Sequence, residues 1–176
     1  TSLNLIQNEF KTIKFLEKFQ FKKIIIPNLK RIDINGVLAI NNIKPKNSKN
    51  SHKISTTHIL GLDELYSNTI KKTDWQSLEI LKICKERISD LKIIKSQNGL
   101  EITKVHSLTK KISTLLEILI RKKSSVNTSL SHGDFTPWNS VVYDHKLHLY
   151  DWELSKKNIP LLYDLFHFKF QNGVLV

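Results

Sequence analysis

Three side chains between residues 134 and 151 set the chemistry open to this chain: Asp134, Asn139 and Asp151. They lie in Leu130-Ser131-His132-Gly133-Asp134-Phe135-Thr136-Pro137-Trp138-Asn139, followed after a short gap by Asp151-Trp152-Glu153. A carboxylate at Asp134 can orient a hydroxyl or take its proton. An amide oxygen at Asn139 and a carboxylate at Asp151 are hard donors that suit Mg²⁺ when phosphates and waters complete its shell. One base and two such donors are the parts phosphoryl transfer asks for, since its catalysis is mostly positioning and charge neutralisation. Pro137 stiffens the loop that brings Asn139 back beside Asp134.

These side chains need elements to hold them. Val141-Val142-Tyr143 and Leu147-His148-Leu149-Tyr150 flank Asp144-His145-Lys146, which reads as a tight hairpin returning Asp151 to the neighbourhood of Asn139. Far upstream, Ile6, Phe10, Ile13 and Leu16 recur at helical spacing, predicting an amphipathic helix to about Phe21. Leu29–Ile34 and Val37–Ile40 enclose Asn35-Gly36, the strongest short hairpin signal. Lys44–Lys53 is polar and aperiodic, a linker or loop. Ile59, Leu62 and Leu65 mark a short helix. Thr73-Asp74-Trp75-Gln76 reads as a capping box opening a longer helix that Asn98-Gly99 stops. A third helix runs through Val105, Leu108, Ile112, Leu115 and Leu119 and closes on Arg121-Lys122-Lys123, cations that suit its C-terminal dipole. Ser124–Ser129 reads as a loop. Pro160 is expected to open a last helix carrying Leu161, Leu165 and Phe168 on one stripe, with Gly173 as its stop.

Composition narrows the classes. The 176 residues suffice for a buried core, and 40% hydrophobic with 25% charged residues is ordinary globular usage. No run of about 18 apolar residues is present, which argues against a membrane-spanning helix. The one cysteine, Cys84, cannot form an internal disulfide, so a reducing compartment, the cytoplasm, is expected. The net charge of +12 rests on lysine, with Arg31, Arg87 and Arg121 the three arginines, and from Ser131 onward four Lys face five Asp and Glu. A solvated basic face is preferred to a nucleic-acid surface, and a positive field would also draw in an anionic nucleotide. With no Met and a start at Thr1, the chain is expected to be a processed or cut fragment.

The stretch His132–Asn139 followed by Asp151-Trp152-Glu153 resembles the aminoglycoside phosphotransferase and choline kinase superfamily. The resemblance implies an α+β, protein-kinase-like fold: a partial small lobe over 1–45, a helix plus a β-hairpin, then a mainly helical large lobe over 46–176 with a catalytic-loop hairpin. It implies Asp134 as catalytic base, Asn139 and Asp151 as magnesium ligands, and His132 as a brace of the loop. Asp164, in Pro160-Leu161-Leu162-Tyr163-Asp164-Leu165, would support the loop. Glu9 would be the helix acid that pairs with the nucleotide-binding Lys, against the plainer reading of a solvated charge. Ile40, Asn41, Asn42 and Ile43 would form the hinge whose backbone meets adenine. Gly133 stands where protein kinases carry Arg, and Glu153 where they carry the Gly of Asp-Phe-Gly. Both departures favour a small-molecule kinase not switched by a phosphorylated activation loop. The implied activity is Mg²⁺-dependent transfer of the γ-phosphate of ATP or GTP to a hydroxyl of an amino-sugar, sugar or choline-like acceptor.

The 176 residues hold no Gly-rich phosphate loop and no strand bearing the ATP lysine, so little or no turnover is expected of the chain alone. The rival reading is a truncated or pseudokinase remnant that binds nucleotide or protein without catalysis. A weaker one is a basic nucleic-acid binder. Other candidates have plain readings beside them. His145 and His148 with Asp144 could suggest zinc, but surface hairpin histidines are preferred, because neighbouring strand positions face opposite sides. His52 and His58 read as surface residues, and Cys84 as core rather than a reactive thiol. Trp138 reads as packing under the loop, in preference to a wall of the acceptor pocket.

Overall fold

The computed structural model describes residues 2–32, 38–46, 48, 50–93 and 102–175. In chain order the elements are α1 (Ser2–Leu16), β1 (Ile24–Ile25), β2 (Leu29–Ile32), β3 (Leu38–Ile40), α2 (Thr56–Thr69) and β4 (Lys71–Asp74). A 3₁₀ turn (Trp75–Ser77) leads to α3 (Glu79–Ile93), α4 (Ile102–Arg121) and β5 (Ser125–Ser131). The chain closes through β6 (Ser140–Tyr143), β7 (Lys146–Leu149), β8 (Lys156–Pro160) and α5 (Tyr163–Leu175). The class is α+β. Two compact units result, one of Thr1–Lys71 with Thr128–Val176 and one of Lys72–Asn127. Among the described residues no helix is long and apolar enough to cross a membrane.

The first unit is built on the 140–150 hairpin. Asp144 and His145 both have positive φ, 48° and 58°, and Tyr143 faces Lys146, so the loop is a two-residue turn of the kind whose twist matches its strands. β7 is flanked by β6 on one side and, in parallel, by β1 on the other, with Ile24 opposite Leu147. Two residues suffice for β1 because Glu64 of α2 holds the segment. Its carboxylate accepts the N–H groups of Lys22 and Lys23, both at 2.7 Å, and of Ile24 at 3.1 Å. Gly61 of α2 faces Leu147, and a Cβ there would stand 2.7 Å from Cδ2, so the glycine sets how closely helix meets sheet. Ile13, Leu16, Leu62, Leu65, Phe135, Leu147, Trp152 and Phe168 form one buried cluster beneath these elements. α1 ends at Leu16, earlier than its periodicity suggests, because the chain turns there to pack Phe19 against Phe15 and Phe21.

Four expectations are corrected. Ser124–Ser129 is not a loop but most of β5, which pairs antiparallel with β8, Ser129 opposite Ile159. Pro160 ends β8 instead of opening a helix; Leu162 takes positive φ, 71°, and α5 begins at Tyr163. Gly173 lies within α5, where it is exposed and stops nothing. In the second unit, Thr73 and Asp74 belong to β4. Trp75 N–H is drawn to the Ser124 carbonyl at 3.3 Å, Leu78 is extended, and the helix starts at Glu79. The Asn35-Gly36 turn and the Asn98-Gly99 stop lie outside the described residues. The flanking strands β2 and β3 do pair antiparallel, Ile32 opposite Leu38. The second unit has its own small core of Leu78, Leu81, Ile88 and Leu116, with Cys84 packed at its edge as expected of a core thiol.

Candidate functional site

One buried carboxylate organises the approach to Asp134. Asp164, in the first turn of α5, is wholly buried. It accepts Ser131 Oγ at 2.8 Å and Gly133 N–H at 3.1 Å on Oδ1, and His132 N–H at 3.1 Å and Tyr66 O–H at 3.3 Å on Oδ2. Burial and the neighbouring Asp164 charge both push the Tyr66 phenol up, which keeps it a donor. His132 extends the brace across the site. Its Nε2–H donates to the Tyr150 carbonyl at 3.0 Å, and its ring lies 4.6 Å from that of Trp152. The residue before Gly133 is thereby tied to the residue before Asp151.

Gly133 is where loop and strand end meet. Its φ is +86°, and a Cβ there would fall inside the carbonyl oxygen of Leu154, so only glycine lets the loop lie on the 152–155 backbone. That backbone is itself held from α1. Asn8 Nδ2 donates to the carbonyls of Glu153 at 2.8 Å and Ser155 at 3.0 Å, Thr12 Oγ1 meets Ser155 Oγ at 2.6 Å, and Glu9 accepts the Trp152 N–H at 3.2 Å.

Asp134 and Asn139 are in direct contact. Asn139 Nδ2 donates to Asp134 Oδ2 at 2.7 Å and to its carbonyl at 3.2 Å, which spends the amide nitrogen and leaves Asn139 Oδ1 as the free donor atom. The Asn139 carbonyl accepts Tyr150 N–H at 3.2 Å, so the hairpin delivers Asp151 one residue beyond Asn139's partner. Asp151 is exposed, with φ +65°, a conformation that concentrates at functional positions. The charges gather as well. Burial pushes the Glu9 carboxyl up, opposed by the Trp152 N–H and helped by Asp151 and Glu153. Partial burial pushes Glu153 up too, helped by Asp151 and Asp134. The charge of Asp151, and on Glu153 that of Asp134, thus adds to burial in raising the proton affinity of the two glutamates. Among the described residues no three His, Cys, Asp or Glu side chains converge as a metal site of that type requires.

A cleft of about 360 Å³ opens beside this site, lined by Pro27, Ile40, Asn41, Asn42, Ile43, Lys44, Trp138 and Tyr150. The structure therefore brings the Ile40–Ile43 segment and, from the 134–139 loop, Trp138 to one concavity. Asn41 accepts Asn28 N–H with its side chain and donates its own N–H to Asn28 O at 3.1 Å, while His148 Nδ1 meets Ile43 O at 2.9 Å. Tyr150 carries a buried hydroxyl with no hydrogen-bond partner among the described residues, and burial pushes its phenol up to about 12.

Three aromatic or imidazole side chains differ from their sequence-based readings, and a fourth had none. Trp138 does not pack beneath the loop; it is 40% exposed and walls the cleft, while Phe135 and Trp152 fill the space below. His148 is no surface histidine but the half-buried tie to Ile43, because its strand face turns towards that segment. His58 is buried: it sits third in α2, where its Nδ1 takes the Ser55 N–H at 3.1 Å, and its ring lies edge-on to Phe135. The fourth, His167, gave no signal in the sequence. Helical spacing from Asp164 would have placed it one turn further along the same face, and it reaches Asp134 Oδ1 at 3.1 Å.

Burial lowers the affinity of His132 and His58 for protons. The unfolded chain therefore binds more protons than the folded one below about pH 6.5, and stability falls as pH drops from there towards the depressed folded values. Each histidine contributes at most about 1.4 kcal/mol per pH unit. The raised Glu9 acts in the opposite sense at lower pH. Urea midpoints should be flat from pH 8 to 7 and decline to pH 5.5, with a shallower decline in His58→Gln. A midpoint that rises on acidification over that range contradicts the assignment.

No family model, curated protein or solved structure matches this chain.

Proposed function

We propose that this chain carries the catalytic and metal-binding side of a small-molecule phosphotransferase of the aminoglycoside phosphotransferase and choline kinase type, with residues 1–45 and 46–176 as parts of the small and large lobes of a kinase-like fold. The observation that carries it is the joint placement of Asp134, Asn139 and Asp151. The first two are bonded at 2.7 Å, and the third is delivered by the Tyr150–Asn139 backbone bond. Asp134 orients the acceptor hydroxyl and takes its proton. Asn139 Oδ1 and the exposed Asp151 carboxylate are the hard oxygen donors that would hold Mg²⁺, and the donor set fits that ion. When bound, magnesium neutralises phosphate charge. The Ile40–Ile43 segment receives the base of ATP or GTP in the cleft that Trp138 and Tyr150 wall. Glu9, bonded beside Asp151, holds the strand end rather than standing as a solvated charge.

The test is ³¹P NMR of the chain with Mg²⁺, ATP or GTP, and a panel of amino-sugars, sugars and choline analogues. A low rate is expected, since the 176 residues hold no Gly-rich loop and lysine to neutralise the transferring group. Nucleoside diphosphate and a phosphomonoester should grow together and require Mg²⁺. Asp134→Asn should reduce them by about 10²- to 10⁴-fold. Metal-dependent nucleotide binding with no product would select the non-catalytic nucleotide-binding module instead. Absence of both rejects the two readings together.

A further inference from the structure

Helix α5 grips the loop at two points. Asp164 holds the backbone at residues 131–133, and His167, three residues on, reaches the functional carboxylate itself. His167 Nε2 lies 3.1 Å from Asp134 Oδ1, and Asn139 Nδ2 lies 2.7 Å from Oδ2. Both oxygens are therefore engaged from within the chain. The two partners are only 20% and 26% exposed as side chains, so water competes weakly for the contact. The imidazole is held in turn by stacking on Tyr163, with ring centroids 6.1 Å apart and planes at 21°. The segment Ser131–Asn139 contains no Lys or Arg. A cation-capable group at Asp134 is thus supplied by α5, from a residue 33 positions away.

We infer that His167 is the positioning residue of Asp134: its Nε2–H donates to Oδ1 and, with Asn139 on Oδ2, fixes the plane of the carboxylate. Of the four lone-pair directions on the two oxygens, two are then taken, and an acceptor hydroxyl can meet Asp134 only along those that remain. A carboxylate free to turn would present its oxygens in many orientations, and misplacement of a reacting group by about 1 Å costs on the order of 10²-fold in rate. The pairing also dictates the imidazole's protonation pattern. An ionised carboxylate only accepts, so Nε2 carries a hydrogen whether or not Nδ1 does. The catalytic consequence rests on the phosphotransferase reading; the pairing does not.

The experiment has two arms on the full chain. Long-range ¹H–¹⁵N spectra of ¹⁵N-histidine-labelled protein at neutral pH should show His167 Nε2 as a protonated ring nitrogen. In Asp134→Ala, with the acceptor gone, the ring should relax to a mixture of tautomers. A wild-type Nε2 without hydrogen, or a spectrum unchanged in Asp134→Ala, overturns the inference. In the transfer assay, His167→Ala should lower kcat by about 10²-fold with KM for nucleotide and acceptor little changed. His167→Gln, whose amide N–H replaces the donor, should recover part of that loss at equal folded fraction by thermal melt. Unchanged kcat in His167→Ala overturns the positioning role. A protonated Nε2 with no transfer by the wild type sinks the reaction and leaves the Asp134–His167 pairing standing.

Discussion

Gly133→Ala should cost more than about 4 kcal/mol, enough to unfold a domain of ordinary stability, and the variant should melt far below the parent or fail to accumulate as folded protein. Two penalties fall on one methyl group. The residue has φ +86°, where a side chain is strained, and its Cβ would lie inside the Leu154 carbonyl oxygen, with the carbonyl carbon only 2.6 Å away. Backbone cannot swing aside as a flexible side chain does. The 152–155 segment is also pinned by the Ser155–Trp152 turn at 3.1 Å and by Asn8, Glu9 and Thr12. Gly173→Ala is the control. Among the described residues nothing stands within 4 Å of a Cβ at that helical position, so the exchange should stabilise by about 0.5–1 kcal/mol. Comparable melting temperatures for the two variants would contradict the close approach of loop and strand end.

Asp164→Ala should cost about 3–5 kcal/mol. The buried carboxylate has four donors, so its removal leaves Ser131 Oγ, Tyr66 O–H and the His132 N–H without this acceptor, while the Gly133 N–H keeps Ser131 Oγ at 3.1 Å. Each orphan carries a desolvation penalty of about 1–3 kcal/mol, partly relieved by water entering the space. Asp164→Asn should be milder, because its amide oxygen still accepts on one side while its NH₂ faces two donors on the other. Denaturant unfolding of the pair measures the order. If Asn proved as costly as Ala, the buried charge and not the geometry would be holding the loop.

The local geometry of the candidate site was more legible in the sequence than its frame. The contact of Asp134 with Asn139, and the return of the chain to Asn139 at Tyr150, could be read because one loop and one hairpin decide them, and both are local. The hairpin was readable because Asp144 and His145 sit between two apolar runs. His167 was silent because its role depends on how α5 docks, which no local pattern encodes. The same holds for β8 and for β5, whose polar Ser125–Ser129 run looks like a loop until its partner strand is known. Pro160 misled for a physical reason: proline suits the end of an edge strand as well as a first helical turn. His58 read as surface because a lone histidine at a helix start resembles a solvated one. Its Nδ1 instead closes the cap with Ser55.

The proposed function has Asn139 and Asp151 hold a divalent cation against a nucleotide whose base lies along Ile40–Ile43. Its most direct measurement is a titration of the ¹⁵N-labelled chain with ATP and Mn²⁺ in place of Mg²⁺, following paramagnetic broadening of backbone amides. Broadening should centre on residues 134–139 and 150–153, appear only when nucleotide and metal are both present, and vanish in Asp151→Asn. Amides of residues 40–44 should shift with nucleotide. Broadening that spreads over other acidic surface residues, or that survives Asp151→Asn unchanged, would contradict it.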